Sequence, residues 1–288
     1  MKIIVTGSLG NISTPLTQYV IQQGHTVTVI SRNPDKQKNI EALGATAAIG
    51  TIEDVAFLTA TFANADAVYC MVPFNFGADN QDAYLQNIAN NYLQAIVKNN
   101  IQRVVFLTGW AVTIIESLNL QELFAPYPNI NYTELRPSIF YTNFYSFIGV
   151  IKEHGALMAN YGDDDQLAFV APQDIALAAA EELTSTTTGN TIRYVASEEL
   201  TCNEAAHILG NAIGQPQLKW ITLSSEQALQ GYLQMGFPES IATALVNMQA
   251  VMHSGEIYNN YLKHRPTLGP TKLDVFAKEF AQVYHQSE

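Results

Sequence analysis

The 288-residue sequence predicts an α/β chain, a doubly wound parallel sheet followed by a smaller, mostly helical C-terminal lobe. Three observations predict it. The apolar run Lys2–Thr6 ends in Gly7-Ser8-Leu9-Gly10 and opens the amphipathic stretch Ile12 to Gln23, which is the order strand, tight turn, helix. Short β-branched runs then alternate with helices of about ten residues or more, which demands right-handed crossovers and a sheet covered on both faces. Apolar residues make up 48% of the chain, enough to fill such a core.

Strands are expected at Lys2–Thr6, Thr26–Ile30, Thr46–Ile49, Ala67–Met71 and Arg103–Thr108, with helices from Ile12, Pro34 and Asp54 and from Asn80 to Lys98 between them. The rhythm loosens over Trp110–Pro128. It resumes with the strand Asn131–Arg136, the aromatic segment Ser138–Phe147, the strand Leu167–Val170, an alanine-rich helix begun by Pro172-Gln-Asp174, and the strand Thr191–Val195. From Thr201 onward the segments are mainly helical, with one strand at Leu218–Thr222, and Pro238 and Pro270 stand where helices begin. The expected division is a Rossmann domain over residues 1–150 and a smaller substrate or lid lobe over 151–288, from which 165–195 returns to the sheet.

Fourteen basic against 26 acidic residues leave a net charge of -12, which argues against wrapping nucleic acid or an anionic membrane. Cys70 and Cys202 lie far apart and form no C-x-x-C pattern, so neither a disulfide framework nor a zinc knuckle is expected. No basic-then-apolar leader precedes the first strand and no long uncharged apolar stretch occurs, so the expected compartment is the cytoplasm. The six histidines are dispersed without ligand spacing, and no metal is expected.

The turn itself carries the functional signal. Gly7 permits a sharp bend, Gly10 lets the backbone approach a ligand, and Ser13 is small enough for the helix to pack close to the sheet. Gly7, Ser8, Leu9, Gly10, Asn11 and Ile12 are therefore the expected cradle of a dinucleotide diphosphate, held on N–H groups at a helix N-terminus. The second strand ends Ser31-Arg32-Asn33 with no acid, so Ser31, Arg32 and Lys36 favour a 2′-phosphate and NADP(H), with NAD(H) as the alternative and Arg32 then merely solvated. After the fourth strand, the backbone of Met71-Val72-Pro73 is expected along the cofactor, while Cys70 reads as core and Asp54 as a helix cap.

Taken together, I-x-V-T-G-S-L-G-N-I at the start, Ser31-Arg-Asn-Pro34, Met71-Val-Pro73, Arg103-Val-Val-Phe-Leu-Thr108, Leu135-Arg-Pro137 with Asn143-Phe144, and Gln173-Asp-Ile175 resemble the NmrA-like family of atypical short-chain dehydrogenases. Ser224–Leu229 and Gly236-Phe-Pro238 extend the resemblance into the C-terminal lobe. It implies NADP or NAD binding in the N-terminal domain. Some members of that family are quinone reductases, and others are redox-sensing regulators with little or no turnover.

Ordinary short-chain dehydrogenases use a tyrosine acid paired with a lysine four residues later. No tyrosine here has that partner; Tyr132 and Tyr261 are followed there by Arg136 and Arg265. Thr108 occupies the place of the helper hydroxyl that binds a substrate carbonyl and lies beside the cofactor. Tyr141 and Tyr145, four residues apart, would share a helical face and are the remaining candidates for contact with a carbonyl. Phe74, Phe76, Trp110, Phe140, Tyr141 and Phe144 would line a pocket for a flat apolar substrate. The expected activity is hydride transfer to a quinone or a similar small apolar carbonyl compound. The alternatives are a non-catalytic NADP-binding redox sensor, with a protein partner, and a nucleoside-diphosphate-sugar epimerase, for which Arg136, Lys152 and Arg193 are few cations.

Overall fold

The structure, a computed structural model, describes residues 1–75, 77–78, 80–111 and 118–287. The chain divides into two compact units, Met1–Pro137 with Ile175–Arg193, and Ser138–Asp174 with Tyr194–Glu288. The boundary expected at 150 thus stands at Pro137, and the stretch that returns to the first unit is 175–193 rather than 165–195.

In chain order the first elements are β1 (Lys2–Val5), α1 (Ser13–Gln22), β2 (Thr26–Ser31), α2 (Gln37–Ala42), β3 (Thr46–Ile49), α3 (Val55–Thr61), β4 (Ala67–Met71), α4 (Gln81–Lys98), β5 (Arg103–Leu107), α5 (Leu120–Phe124) and β6 (Asn131–Pro137). Then come β7 (Ile139–Phe140), α6 (Ile148–His154), β8 (Ala156–Ala159), β9 (Gln166–Val170), α7 (Pro172–Thr184), β10 (Thr191–Val195) and β11 (Glu198–Thr201). The chain ends with α8 (Cys202–Ala212), β12 (Lys219–Thr222), α9 (Ser225–Gln234), α10 (Glu239–His253), α11 (Glu256–Leu262) and α12 (Leu273–Gln286). No helix among the described residues is long and apolar enough to cross a membrane.

The main sheet runs β10-β6-β5-β4-β1-β2-β3. The pairs β1–β2, β2–β3, β1–β4, β4–β5 and β5–β6 are all parallel. The chain steps outward from β1 to β3, then crosses back to lay β4 on the other side of β1, and this reversal opens a crevice at the C-terminal ends of the strands. Because helices cover both faces, β1 and β4 are almost wholly buried and show no alternation. α1 buries Ser13, Leu16, Thr17 and Val20, one stripe at helical spacing. Its end is a left-handed turn at Gly24, φ 86°, where the Gly24 and His25 N–H groups return to the Ile21 and Val20 carbonyls. Asp54 caps α3 by accepting from Ala56 and Phe57 N–H at 2.8 and 3.1 Å, as the sequence indicates.

The second unit holds a sheet of order β11-β9-β7 and the parallel pair β12–β8. Its core is aromatic: Phe144 stacks on Phe169 with ring centroids 5.5 Å apart and meets Trp220 edge-on at 5.9 Å. Thr201 and Ser224 each form a capping box that starts α8 and α9. Asp174, buried at the start of α7, accepts from Ser197 Oγ at 2.6 Å and from Thr271 Oγ1 at 2.7 Å, which ties three separate segments of this unit.

Candidate functional site

At the crevice, the C-terminal ends of β1, β2, β3 and β4 enclose a cleft of about 320 Å³. The turn after β1 is its base. Gly7 sits at φ 88°, and a Cβ there would lie 2.6 Å from Ser13 Oγ and 3.1 Å from Met71 Cγ, so only glycine fits. Ser8 follows at φ 55°; its N–H donates to the Ile30 carbonyl at 3.1 Å and its hydroxyl to Ser31 Oγ at 2.9 Å. The Gly10 N–H closes on the Gly7 carbonyl at 3.1 Å, leaving Leu9 half-buried and Gly10 and Asn11 exposed. Ser13 Oγ donates to the Thr6 carbonyl at 2.8 Å and pins the first turn of α1 against the end of β1.

Ile12 stands at the N-cap of α1 and gives no side-chain cap, and the first turn holds no acidic residue. Thr14 N–H is taken by the Gly10 carbonyl, and Pro15 has none to offer. Neither a side-chain cap nor a first-turn acid offsets the partial positive charge of this helix end, the condition under which a phosphate is held.

Arg32 lines the cleft and is exposed, and among the described residues no hydrogen bond or ion pair engages its guanidinium. Ser31 also lines the cleft, but it is buried, and its hydroxyl already accepts from Ser8 and from the Asn33 N–H at 3.2 Å. Lys36 lies on the short turn Pro34–Lys36 and is not part of the cleft lining. The lining also includes Glu53, in the segment after the third strand, together with Asn75 and Tyr84, which sequence reasoning had not picked out. Desolvation, and then the Glu53 carboxylate, push the Tyr84 hydroxyl upward, with Arg32 pulling the other way.

Met71 and Pro73 line the cleft. The Met71 N–H donates to Thr6 Oγ1 at 2.9 Å and its carbonyl accepts from Tyr92 OH at 2.9 Å, which fixes the backbone at the end of β4. Val72 is half-buried and outside the lining. Cys70 is fully buried, and burial raises its thiol well above the usual range, as fits a core residue.

The expected substrate wall comes apart into separate environments. Phe74 is 50% exposed at the cleft, whereas Trp110 is buried with its N–H on the Pro137 carbonyl at 3.0 Å. Phe76 lies outside the described residues. Phe140 is half-buried on β7, and Phe144 is core of the second unit, stacked as described above. Tyr141 and Tyr145 lie on a 3-10 segment, Tyr141–Phe147, and both rings pack on Phe276 with centroids 5.6 and 5.3 Å away, but their hydroxyls go to different partners. Tyr141, fully buried, donates to the Thr271 carbonyl at 3.2 Å, while Tyr145 donates to Glu279 Oε1 at 2.7 Å. Both hydroxyls are raised far above their usual range, first by desolvation and then by carboxylates, Glu198 and Asp174 at Tyr141 and Glu279 at Tyr145, so neither is an acid poised near neutrality.

Thr108 stands at the end of β5, half-buried, and its hydroxyl donates to Glu134 Oε1 at 2.9 Å. Glu134 is gripped by Arg136 through Nε and Nη2, each at 2.8 Å. Alternate positions on β6 put both side chains on one face of the strand, a signal present in Glu134-Leu-Arg136 but missed.

The family described as NAD(P)H-binding matches residues 7–129, which run from the turn after β1 through β2, β3, β4 and β5. The chain is 23% identical over 256 residues, 86% of each protein, to the NAD(P)H azoreductase of Xenophilus azovorans. Among solved structures it is similar to an NADPH-dependent quinone oxidoreductase from Escherichia coli in complex with NADPH, at TM-score 0.78, 19% identity, and coverage of 96% of this chain and 99% of that one. It is also similar to the triphenylmethane reductase of a Citrobacter species, at TM-score 0.79, 20% identity, and coverage of 98% and 100%. These structural likenesses show a shared fold.

Proposed function

We propose that this chain, whose residues 7–129 match the family described as NAD(P)H-binding, is an NADPH-dependent reductase of small, flat, apolar acceptors such as quinones and azo compounds. The observation that carries the cofactor half is the pairing of an uncapped, acid-free α1 N-terminus with an Arg32 guanidinium that no carboxylate engages among the described residues. Gly7 to Ile12 hold the diphosphate, and Arg32 holds a 2′-phosphate, which favours NADP(H) over NAD(H). The curated azoreductase relative and the NmrA-like resemblance support the reductase half.

When bound, the cofactor supplies the hydride. The chain's task is to bind, orient and keep water from the transfer path, which needs distance and alignment rather than a side-chain acid. Met71, Pro73 and Phe74 offer an apolar surface along the crevice, and protons for the reduced acceptor come from solvent. A non-catalytic NADP-responsive sensor is the second reading, favoured by the commitment of Thr108 to Glu134 and of the Tyr141 and Tyr145 hydroxyls to Thr271 and Glu279. Following NADPH oxidation at 340 nm with a panel of quinones and azo dyes separates them. Sustained turnover supports the reductase; tight NADPH binding with no turnover across the panel supports the sensor.

A further inference from the structure

Thr108 has one hydrogen to give and two lone pairs to receive. Its hydrogen is spent on Glu134 Oε1 at 2.9 Å, with the Leu135 carbonyl at 3.4 Å as the next acceptor, and among the described residues no donor reaches Thr108 Oγ1. Glu134, 7% exposed at its side chain, is held in place by the two Arg136 contacts, and a carboxylate paired in this way has only acceptors to show. The direction of the Thr108 bond is thereby fixed, and the free side of Oγ1 presents lone pairs alone. A carbonyl placed there would meet oxygen against oxygen; an N–H would be matched. This inverts the role that sequence position gives to Thr108.

The location says which N–H. The cleft spans the ends of β3, β2, β1 and β4, and β5 is the next strand across, with Leu107 in register with Met71 and Thr108 one residue beyond. Strands are about 4.8 Å apart, so a dinucleotide whose diphosphate lies at β1 and whose adenosine lies toward β3 extends its other half over β4 to β5. We infer that Thr108 Oγ1 accepts a hydrogen bond from the carboxamide NH2 of the nicotinamide ring, with Glu134 and Arg136 as positioning residues that fix this polarity; the inference rests on the NADP(H) reading above.

The test is a set of equilibrium titrations with NADPH, its reduced 3-acetylpyridine analogue, in which a methyl group replaces the NH2, and 2′-phospho-ADP-ribose, which lacks the ring. The wild-type chain binds NADPH roughly tenfold more tightly than the acetyl analogue, the scale of one matched hydrogen bond. Thr108→Val brings that ratio close to one by weakening NADPH, leaves 2′-phospho-ADP-ribose unchanged, and Thr108→Ser restores the discrimination. Equal wild-type affinity for NADPH and the acetyl analogue overturns the inference while leaving the cofactor reading intact, as does discrimination that survives in Thr108→Val. Failure of the wild-type chain to bind either NADPH or 2′-phospho-ADP-ribose overturns the cofactor reading itself.

Discussion

Asn91, in the middle of α4, braces the loop that carries Glu53: its Nδ2 reaches the carbonyls of Glu53 and of the preceding Ile52, each at 3.3 Å. Asn91 is 5% exposed, and Ile52 and Glu53 both line the cleft, so a buried amide sets the shape of the wall on the β3 side. Asn91→Ala leaves two carbonyls without their donor and costs about 1–2 kcal/mol of stability. Asn91→Asp costs more, because it aims a carboxylate oxygen at both carbonyls. Binding of 2′,5′-ADP weakens in both variants in the same order, measured by calorimetric titration beside thermal unfolding. Unaltered 2′,5′-ADP affinity in Asn91→Asp would reduce the brace to a purely structural contact.

Arg32→Ala separates the two cofactors. With no acid competing for the guanidinium among the described residues, a 2′-phosphate gains a charge-assisted contact there that NADH cannot make. NADPH affinity falls by roughly 1–3 kcal/mol and NADH affinity stays nearly constant. Parallel losses for the two coenzymes would sink the 2′-phosphate assignment.

Two glycines with nearly the same backbone make a matched pair. Gly7 and Gly24 lie at φ 88° and 86°, yet a Cβ at Gly7 would crowd Ser13 and Met71 while at Gly24 nothing stands within 4 Å. Gly24→Ala therefore carries only the backbone cost, about 1 kcal/mol, and leaves NADPH binding intact. Gly7→Ala adds displacement of Ser13 Oγ from the Thr6 carbonyl and distorts the turn, so it lowers both the melting temperature and NADPH affinity. Thermal shift with and without NADPH reads both effects; equal behaviour of the two variants would remove Gly7 from the binding turn.

What was legible in the sequence is what depends on near neighbours. The glycine turn, the β-branched strands and the cap at Asp54 are local signals, and the first unit follows them closely. β8, Ala156-Leu-Met-Ala159, escaped because alanine favours helix and its pairing partner, β12, is distant in sequence. The helical period expected for Tyr141 and Tyr145 met a backbone that winds at three residues per turn, and the partners of their hydroxyls, Thr271 and Glu279, lie 130 and 134 residues away, beyond the reach of local spacing. Thr108 was located correctly at the end of β5, but the polarity of its hydroxyl depends on Glu134, 26 residues away, and spacing alone cannot encode that.

The second unit should owe part of its acid sensitivity to Glu199. On β11 this carboxylate accepts from Tyr261 OH at 2.7 Å, Tyr258 OH at 3.3 Å and Arg265 Nε at 2.7 Å. Partial burial alone would raise its pKa, but the Arg265 and Tyr261 hydrogen bonds outweigh it, and the net shift is downward. A folded value below the unfolded value means the charged form is favoured by folding. The stabilisation is therefore complete above the unfolded pKa, near 4.3, and is lost as pH falls through the lower folded value. Glu199→Gln removes the titration while keeping an oxygen for the donors, so the stability gap between wild type and variant stays level above about pH 5 and closes in more acidic solution. Denaturant unfolding at a series of pH values reads that gap directly. A difference that holds level through pH 3 would show that the Glu199 charge contributes nothing to the fold.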